Sequence, residues 1–343
     1  MTTPSQPAIT YADAGVDLEG ADRHVERIAP LVTATWGPNV VGGFGGFAAG
    51  VELPEGYRRP VLMMSTDGVG TKLELMRRTG RWDGVGFDLV AMCVDDLAVV
   101  GARPIGFVDY MAVGSLDGVR DAAIVGSIAR ACAAVGAALV GGETAEHPGV
   151  MEPDAVDLAG AALGVVERGS EITGAAVVPG DVIVGVRSPN LRSNGFSLVR
   201  RVFDGVDLDA DIGDGRSVGE ALTEPSVLYA PMAVELAATE RIHGMAHITG
   251  GGIPGNLVRP LPDGCAALVN RGSWEVPFVF AEIQRRGGIA DDAMAETFNM
   301  GIGFCVIVGQ PDSDRVIETA TRHGHQAGVI GRIEAGDRHV VMS

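Results

Sequence analysis

The stretch Pro60-Val-Leu-Met-Met-Ser-Thr-Asp-Gly-Val-Gly-Thr-Lys72 decides how the whole chain is read. Pro60 to Thr66 is a short apolar run ending in hydroxyl residues, the pattern of a buried strand. Glycines then free the backbone to turn, and a helical stretch follows. An aspartate at a strand end offers hard oxygen ligands, so Asp67 is a candidate for a cation. Lys72 offers a point charge for a phosphate. The spacing is not that of the common P-loop, because G-x-x-x-x-G-K is absent. The plainer alternative is a strand-to-helix turn with a solvated lysine.

Outward from this strand, helical and extended patterns alternate. A helix, Asp22 to Val32, precedes it. After it come a helix over Phe87 to Val100, a strand over Pro104 to Val113 and an amphipathic helix over Asp117 to Val135 with Gly136 as its stop. Buried strands follow at Ala137 to Val140 and Asp157 to Val166. The pattern breaks into turn residues between Glu167 and Gly180, which places a domain boundary there and gives units 1–170 and 171–343. The second unit restarts with a strand (Val182 to Val186) and a helix (Phe196 to Phe203). A polar loop (Asp204 to Arg216) leads to helices at Val227 to Thr239, Gly252 to Val258, Pro277 to Arg286 and Asp312 to Gly324. Strands at Gly244 to Ile248, Gly301 to Val308 and Ala327 to Ile333 complete it. The fold class is α/β (α+β), with two mixed domains.

Composition narrows the partners. Of 343 residues, 46% are apolar, which indicates a globular chain. Glycine contributes 50 residues, about twice the usual share, and its clusters mean tight turns or a backbone that must approach a ligand. A net charge of −18 repels a long nucleic acid, and an anionic small substrate would need a metal or converging amides. The four cysteines lack C-x-x-C spacing and read as buried thiols in a reducing compartment. The N-terminus has no apolar signal core, and no uncharged apolar run reaches membrane length. A cytosolic protein with no membrane partner is expected.

Five further segments carry chemistry. Gly42-Gly43-Phe44-Gly45-Gly46 can direct several amides at phosphate oxygens, or simply form a flexible loop. Asp95 and Asp96 are adjacent carboxylates in an apolar helix, costly to bury unless one faces water or a cation. Gly141-Gly142-Glu143 follows a buried strand, where α/β sheets collect ligand groups, or else Glu143 or Thr144 caps a helix. With Asp67, these carboxylates suggest magnesium shared with phosphates. In the second unit, Arg192-Ser193-Asn194-Gly195 and His247-Ile-Thr249-Gly250-Gly251-Gly252 form two glycine-bearing segments before helices. His243 and His247 have zinc-helix spacing but flank a predicted strand, which disfavours zinc.

Taken together, these segments resemble the phosphoribosylformylglycinamidine cyclo-ligase (aminoimidazole ribonucleotide synthetase) family. The matching pieces are residues 11–17 (YADAGVD), 42–47 (GGFGGF), 66–72 (TDGVGTK), 88–97, 140–146 (VGGETAE), 193–200, 247–252 (HITGGG) and 297–304 (TFNMGIGF), in family order over nearly the whole chain. The resemblance implies ATP-dependent, magnesium-requiring ring closure through phosphorylation of a formyl oxygen. It implies magnesium ligands at Asp67, Asp96 and Glu143, with Asp95 a further candidate. It implies ATP contacts at Asp13, Gly42, Gly43, Gly45, Gly46, Thr66, Gly68, Gly70 and Thr71. Lys72, Asp67 and His247 would be catalytic. The substrate side would be Arg192, Ser193, Asn194, Gly195, Thr249, Gly250, Gly251, Gly252 and Asn299. A homodimer, paired through the sheets of the N-terminal domains, is also implied. Three positions depart from the family pattern: Arg192 for a histidine, Asp95 for an asparagine and His147 for a methionine. The first two leave open an ATP-using relative with another small phosphorylated acceptor, or a nucleotide-binding subunit without catalysis.

Overall fold

The computed structural model describes residues 18–343; Asp13 and the 11–17 segment lie outside them. The first unit runs α1 (Leu18–Thr33), β1 (Val40–Val41), β2 (Gly50–Val51), β3 (Pro60–Gly68), α2 (Lys72–Thr79), α3 (Val85–Ala98), β4 (Arg103–Val113), α4 (Gly118–Ala134), β5 (Ala138–Glu146) and β6 (Val156–Glu167). The second runs β7 (Val182–Arg187), α5 (Phe196–Val202), α6 (Val218–Thr223), α7 (Ala230–Thr239), β8 (Ile242–His247), α8 (Gly252–Leu257) and β9 (Cys265–Val269). It continues with α9 (Phe278–Gly287), α10 (Asp291–Thr297), β10 (Ile302–Val308), α11 (Ser313–Arg322), β11 (Ala327–Ala335) and β12 (Val340–Met342).

The first sheet has the order β3-β6-β4-β5, with β4 and β5 parallel and the other pairs antiparallel. Its alternation is visible in β3, where Val61, Met63 and Ser65 turn toward α3 and Leu62 and Met64 turn outward. Leu62, Met64, Val108 and Tyr110 leave this outer face apolar and exposed. Register aligns Asp67, Gly160, Asp109 and Gly142 in one row across the four strands. The second sheet, β12-β9-β11-β7-β10-β8, is antiparallel except for the β12–β9 pair.

Local chemistry explains several elements. Asp117 caps α4 by accepting from the amides of Val119 and Arg120. Ser217 and Glu220 form a reciprocal capping box on α6, a helix the sequence patterns leave unassigned. Where the sequence reading stops a strand at Val140, β5 continues to Glu146, because parallel pairing with β4 persists to Val113. Glu143 and Thr144 are therefore strand residues and not a helix start. Strand β9 also escapes the sequence patterns; five residues are too few to show a period.

The two units meet along α3. Leu89, Val90, Cys93, Val94 and Leu97 sit in the core cluster that also includes Met232, Ala233 and Leu236 of α7. Among the described residues, no helix is long and apolar enough to cross a membrane.

Candidate active site

Asp67 ends β3 with an exposed side chain, one oxygen of which accepts from the next amide, that of Gly68, at 2.7 Å. Thr66 Oγ1 donates to the Gly160 carbonyl at 2.7 Å, which fixes the strand end. Gly68 cannot carry a Cβ, which would stand 2.8 Å from the Leu158 carbonyl oxygen, and Gly70 turns the chain at a φ of +69°. Thr71 Oγ1 lies 3.2 Å from Ser197 Oγ, joining the two units at the lip of the site.

Asp96 sits in the last turn of α3, with its side chain 45% exposed and one oxygen 2.8 Å from His247 Nδ1 at the end of β8. The Cys93 thiol lies beside both aspartates. Burial, helped by the charges of Asp67 and Asp96, pushes it up to about 12. The Cys93 sulfur stands 3.9 Å from the Asp67 carbonyl and 3.4 Å from that of Gly160, which packs α3 against the end of β3. His247 is almost fully buried, and its Nε2 has no hydrogen-bond partner. Cys93 thus joins Asp67, Asp96 and His247 as a neighbour that sequence reading treats as core.

Four of the expected site residues are engaged within the protein. Lys72 is fully buried at the start of α2, and its ammonium donates to Asp88 at 2.8 Å, to the Arg192 carbonyl at 3.1 Å and to the Glu224 carbonyl at 2.8 Å. An ammonium has three donors, so none remains for a phosphate in this conformation. Burial pushes Lys72 down and Asp88 up, and the contact between them opposes both shifts. Asp95 is buried too. One oxygen accepts from the amides of Tyr229 and Ala230 at 3.0 and 2.8 Å, and the other pairs with Arg192 at 2.8 Å. It anchors the start of α7 and is not available to a metal. The Arg192 side chain is fully buried over the Tyr229 ring, 4.7 Å from its centroid, so it does not face a substrate. Asn299 is spent on the turn before β10, donating to the Asn190 carbonyl and accepting from the Gly301 amide.

Glu143 is displaced in a different way. It lies on β5 and Asp67 on β3, the opposite edges of the sheet, about 14 Å apart at roughly 4.8 Å per strand. One chain therefore cannot bring both to one ion. Among the described residues, no three His, Cys, Asp or Glu side chains converge as a preformed metal cage. His243 instead bonds Asp181 at 2.7 Å, and His147 bonds the Tyr110 hydroxyl at 3.1 Å.

Two loops converge from the second unit. Asn194 donates to Met92 Sδ of α3 at 3.7 Å, and a Cβ on Gly250 would stand 3.4 Å from Asn194 Oδ1. Ser193 Oγ is buried without a partner. Gly195 needs its φ of +79° and its missing Cβ, which would otherwise strike the Phe298 ring. Asn256, which sequence reading misses, braces Thr249 to Gly252: its amide donates to the carbonyls of Thr249, Gly250 and Gly252, and its oxygen accepts from Thr249. A polar residue inside a short apolar helix is the available signal.

Gly43, Gly45 and Gly46 border a separate cavity of about 370 Å³ under α1, with Glu143, His24 and Asp109 on its walls. Burial pushes the Asp109 carboxyl up to about 7.

Comparison with known proteins identifies the family. Residues 48–166 match the AIR synthase related protein, N-terminal domain, and residues 178–343 match the corresponding C-terminal domain. The chain belongs to the AIR synthase related protein family. It is 46% identical over 332 residues, 95% of each chain, to a phosphoribosylformylglycinamidine cyclo-ligase of Sorangium cellulosum. It is also 46% identical over 316 residues to the protein of that name from Xanthomonas oryzae, covering 91% of this chain and 92% of that one. Among solved structures, a thiamine-monophosphate kinase from Stenotrophomonas maltophilia superposes with a TM-score of 0.66 at 20% identity, over 94% of this chain and 95% of that one. The hydrogenase maturation protein HypE in complex with ATP gives 0.67 at 18% identity, over 92% and 90%. At such identities the two structures share the fold.

Proposed function

We propose that the chain closes the imidazole ring of formylglycinamidine ribonucleotide, using ATP and releasing ADP, phosphate and aminoimidazole ribonucleotide. The cyclo-ligase relatives support the reaction. The single observation that carries it to this chain is the Asp96–His247 contact, which joins a carboxylate of the first unit to the substrate-side loop of the second.

The residues fit a magnesium ion in part. Asp67 and Asp96 each keep a carboxylate oxygen that accepts no hydrogen bond from a described residue. Magnesium is ordinarily held by one or two carboxylates plus substrate phosphates, so Asp67 and Asp96 would supply part of its shell and the phosphates the rest. When bound, the ion neutralises charge on the phosphoryl group in transfer. Asp96 fixes the His247 ring through Nδ1, while the buried Nε2 turns toward the Asp95 carboxylate, 3.9 Å away, so His247 acts by orienting Asp96. Ser193, Asn194 and the braced 249–252 loop hold the ribonucleotide. The 42–46 glycine loop borders the separate cavity under α1, so within one chain it does not cover phosphates held at Asp67 and Asp96. Catalysis is then positioning and charge neutralisation.

The exposed apolar face at Leu62, Met64, Val108 and Tyr110 favours a homodimer paired sheet to sheet. Four free, buried cysteines suit a reducing cytoplasm.

The test is direct. Purified protein is incubated with ATP, magnesium and formylglycinamidine ribonucleotide, and ADP and aminoimidazole are followed together. Equal yields of both support ring closure. ADP without imidazole would point to another acceptor, and binding without turnover to a non-catalytic subunit.

A further inference from the structure

The chain carries 44 acidic residues against 26 lysines and arginines, so its mean field opposes any phosphorylated substrate. One groove reverses that field. It lies between the last turn of α2, which supplies Arg77 and Arg78, and α5, which supplies Arg200 and Arg201, and it encloses about 630 Å³. Its acidic walls are Glu74 and Asp204. Arg77 is already engaged, by Glu74 at 2.8 Å and by Asp154. Among the described residues, Arg78, Arg200 and Arg201 form no ion pair within 4 Å, because the nearby Glu74 and Asp154 both go to Arg77. Three unspent guanidiniums therefore share one opening. Their forks suit the oxygens of a phosphate monoester; the C-terminal helix ends that carry them stabilise the arginine cations and give no attraction of their own to an anion.

The groove abuts the lip of the site through Ser197. Ser197 forms part of its wall, and Ser197 Oγ is the atom 3.2 Å from Thr71 Oγ1. Thr71 precedes Lys72, and Ser197 follows the Ser193-Asn194-Gly195 loop by two positions. An anion entering between the arginines reaches the point where the two units touch.

We propose that this groove is the capture site for the phosphate ester of the ribonucleotide substrate, ahead of its seating on the 193–195 and 249–252 loops. The inference rests on the ring-closure reading for the identity of the substrate, though not for the existence of an anion site. A locally positive cleft in an acidic protein concentrates anionic ligand and raises the encounter rate by about 10- to 1,000-fold, and salt screens that gain.

The experiment reverses charge at the rim in the full-length protein with Arg78→Glu and Arg201→Glu together; Arg78→Gln with Arg201→Gln provides a milder step. Both residues are exposed, so the fold is retained. At low ionic strength the reversed variant should lose about tenfold in kcat/KM for the ribonucleotide, the neutral one less, and both should converge on the parent enzyme at high salt. Equal kcat/KM and equal salt dependence would overturn the capture site. If the parent protein makes no imidazole, the ring-closure reading fails on its own. Ribose 5-phosphate titrated calorimetrically then decides the groove: weaker binding to the reversed variant sustains it, and unchanged binding removes it.

Discussion

Arg192 and Asp95 meet at 2.8 Å with neither side chain exposed to solvent. These are the two positions near the site that the sequence reading marks as departures from the family's pattern, and in space they are one ion pair. Neither faces the substrate, so the departures alter the seam behind the reaction centre and leave the Asp67, Asp96 and His247 groups in place. Breaking a buried pair leaves an uncompensated charge and costs about 3–5 kcal/mol, whereas removing both partners costs far less. Arg192→Gln and Asp95→Asn should each lower unfolding stability by about that amount, and the double variant should recover more than half of the summed loss. Denaturant unfolding of the four proteins checks this. Strictly additive losses would show that the two residues act separately.

Lys72 should behave as a seam residue. Lys72→Met strands Asp88 and two carbonyls, and an expected loss of about 3 kcal/mol or more appears in denaturant unfolding. Among molecules that remain folded, the KM for ATP should move by less than about threefold. A rise of tenfold or more would return Lys72 to the phosphates.

Asp67→Asn removes an open carboxylate oxygen from the expected ion. Turnover at limiting magnesium should fall by at least about tenfold, with partial recovery at high magnesium. Cys93→Ser, beside the end of β3, should be mild by comparison. Near-normal magnesium dependence in the Asn variant would remove Asp67 from the ligand set.

Asp109 gives a pH signature. Its carboxyl is pushed from the usual 3.8 up to about 7 by burial, so between those values the folded state holds a proton that the unfolded chain releases. The resulting stability penalty is absent below 3.8, grows as pH rises toward 7, and is constant above. One unit of pKa shift corresponds to about 1.4 kcal/mol, which sets an upper bound of about 4 kcal/mol on the penalty. Asp109→Asn should therefore raise the melting temperature at pH 8 more than at pH 4. An equal change at both would place the benefit elsewhere.

Much of the fold was legible because its signals are local. The Pro60 to Thr66 run, the turn glycines and the periodic segment starting at Phe87 read as strand, turn and helix, and β3 and α3 occupy those positions. The site was legible as a set of segments and not as a set of roles. Asp95 and Asp96 differ by one step, about 100° around a helix, and an apolar helix buried on nearly every side does not announce which one points where. Lys72 finds Asp88, sixteen residues on, and the Glu224 carbonyl, far beyond any local pattern. Glu143 groups with Asp67 in sequence because both end apolar runs; strand order, which no single sequence displays, puts them on opposite edges.

Helix α3 carries Asp88, Met92 and Asp95 on one face, and their partners are Lys72 and Ser226, then Asn194, then Arg192 and the start of α7. Asp88 and Asp95 are seven residues apart, about 10.5 Å of helix, or nearly two full turns. That interval acts as a fixed gauge between loops drawn from distant parts of the chain. Inserting or deleting a single residue between them would rotate one anchor by about 100° relative to the other and detach it. The stretch from 88 to 95 should therefore admit no change in length.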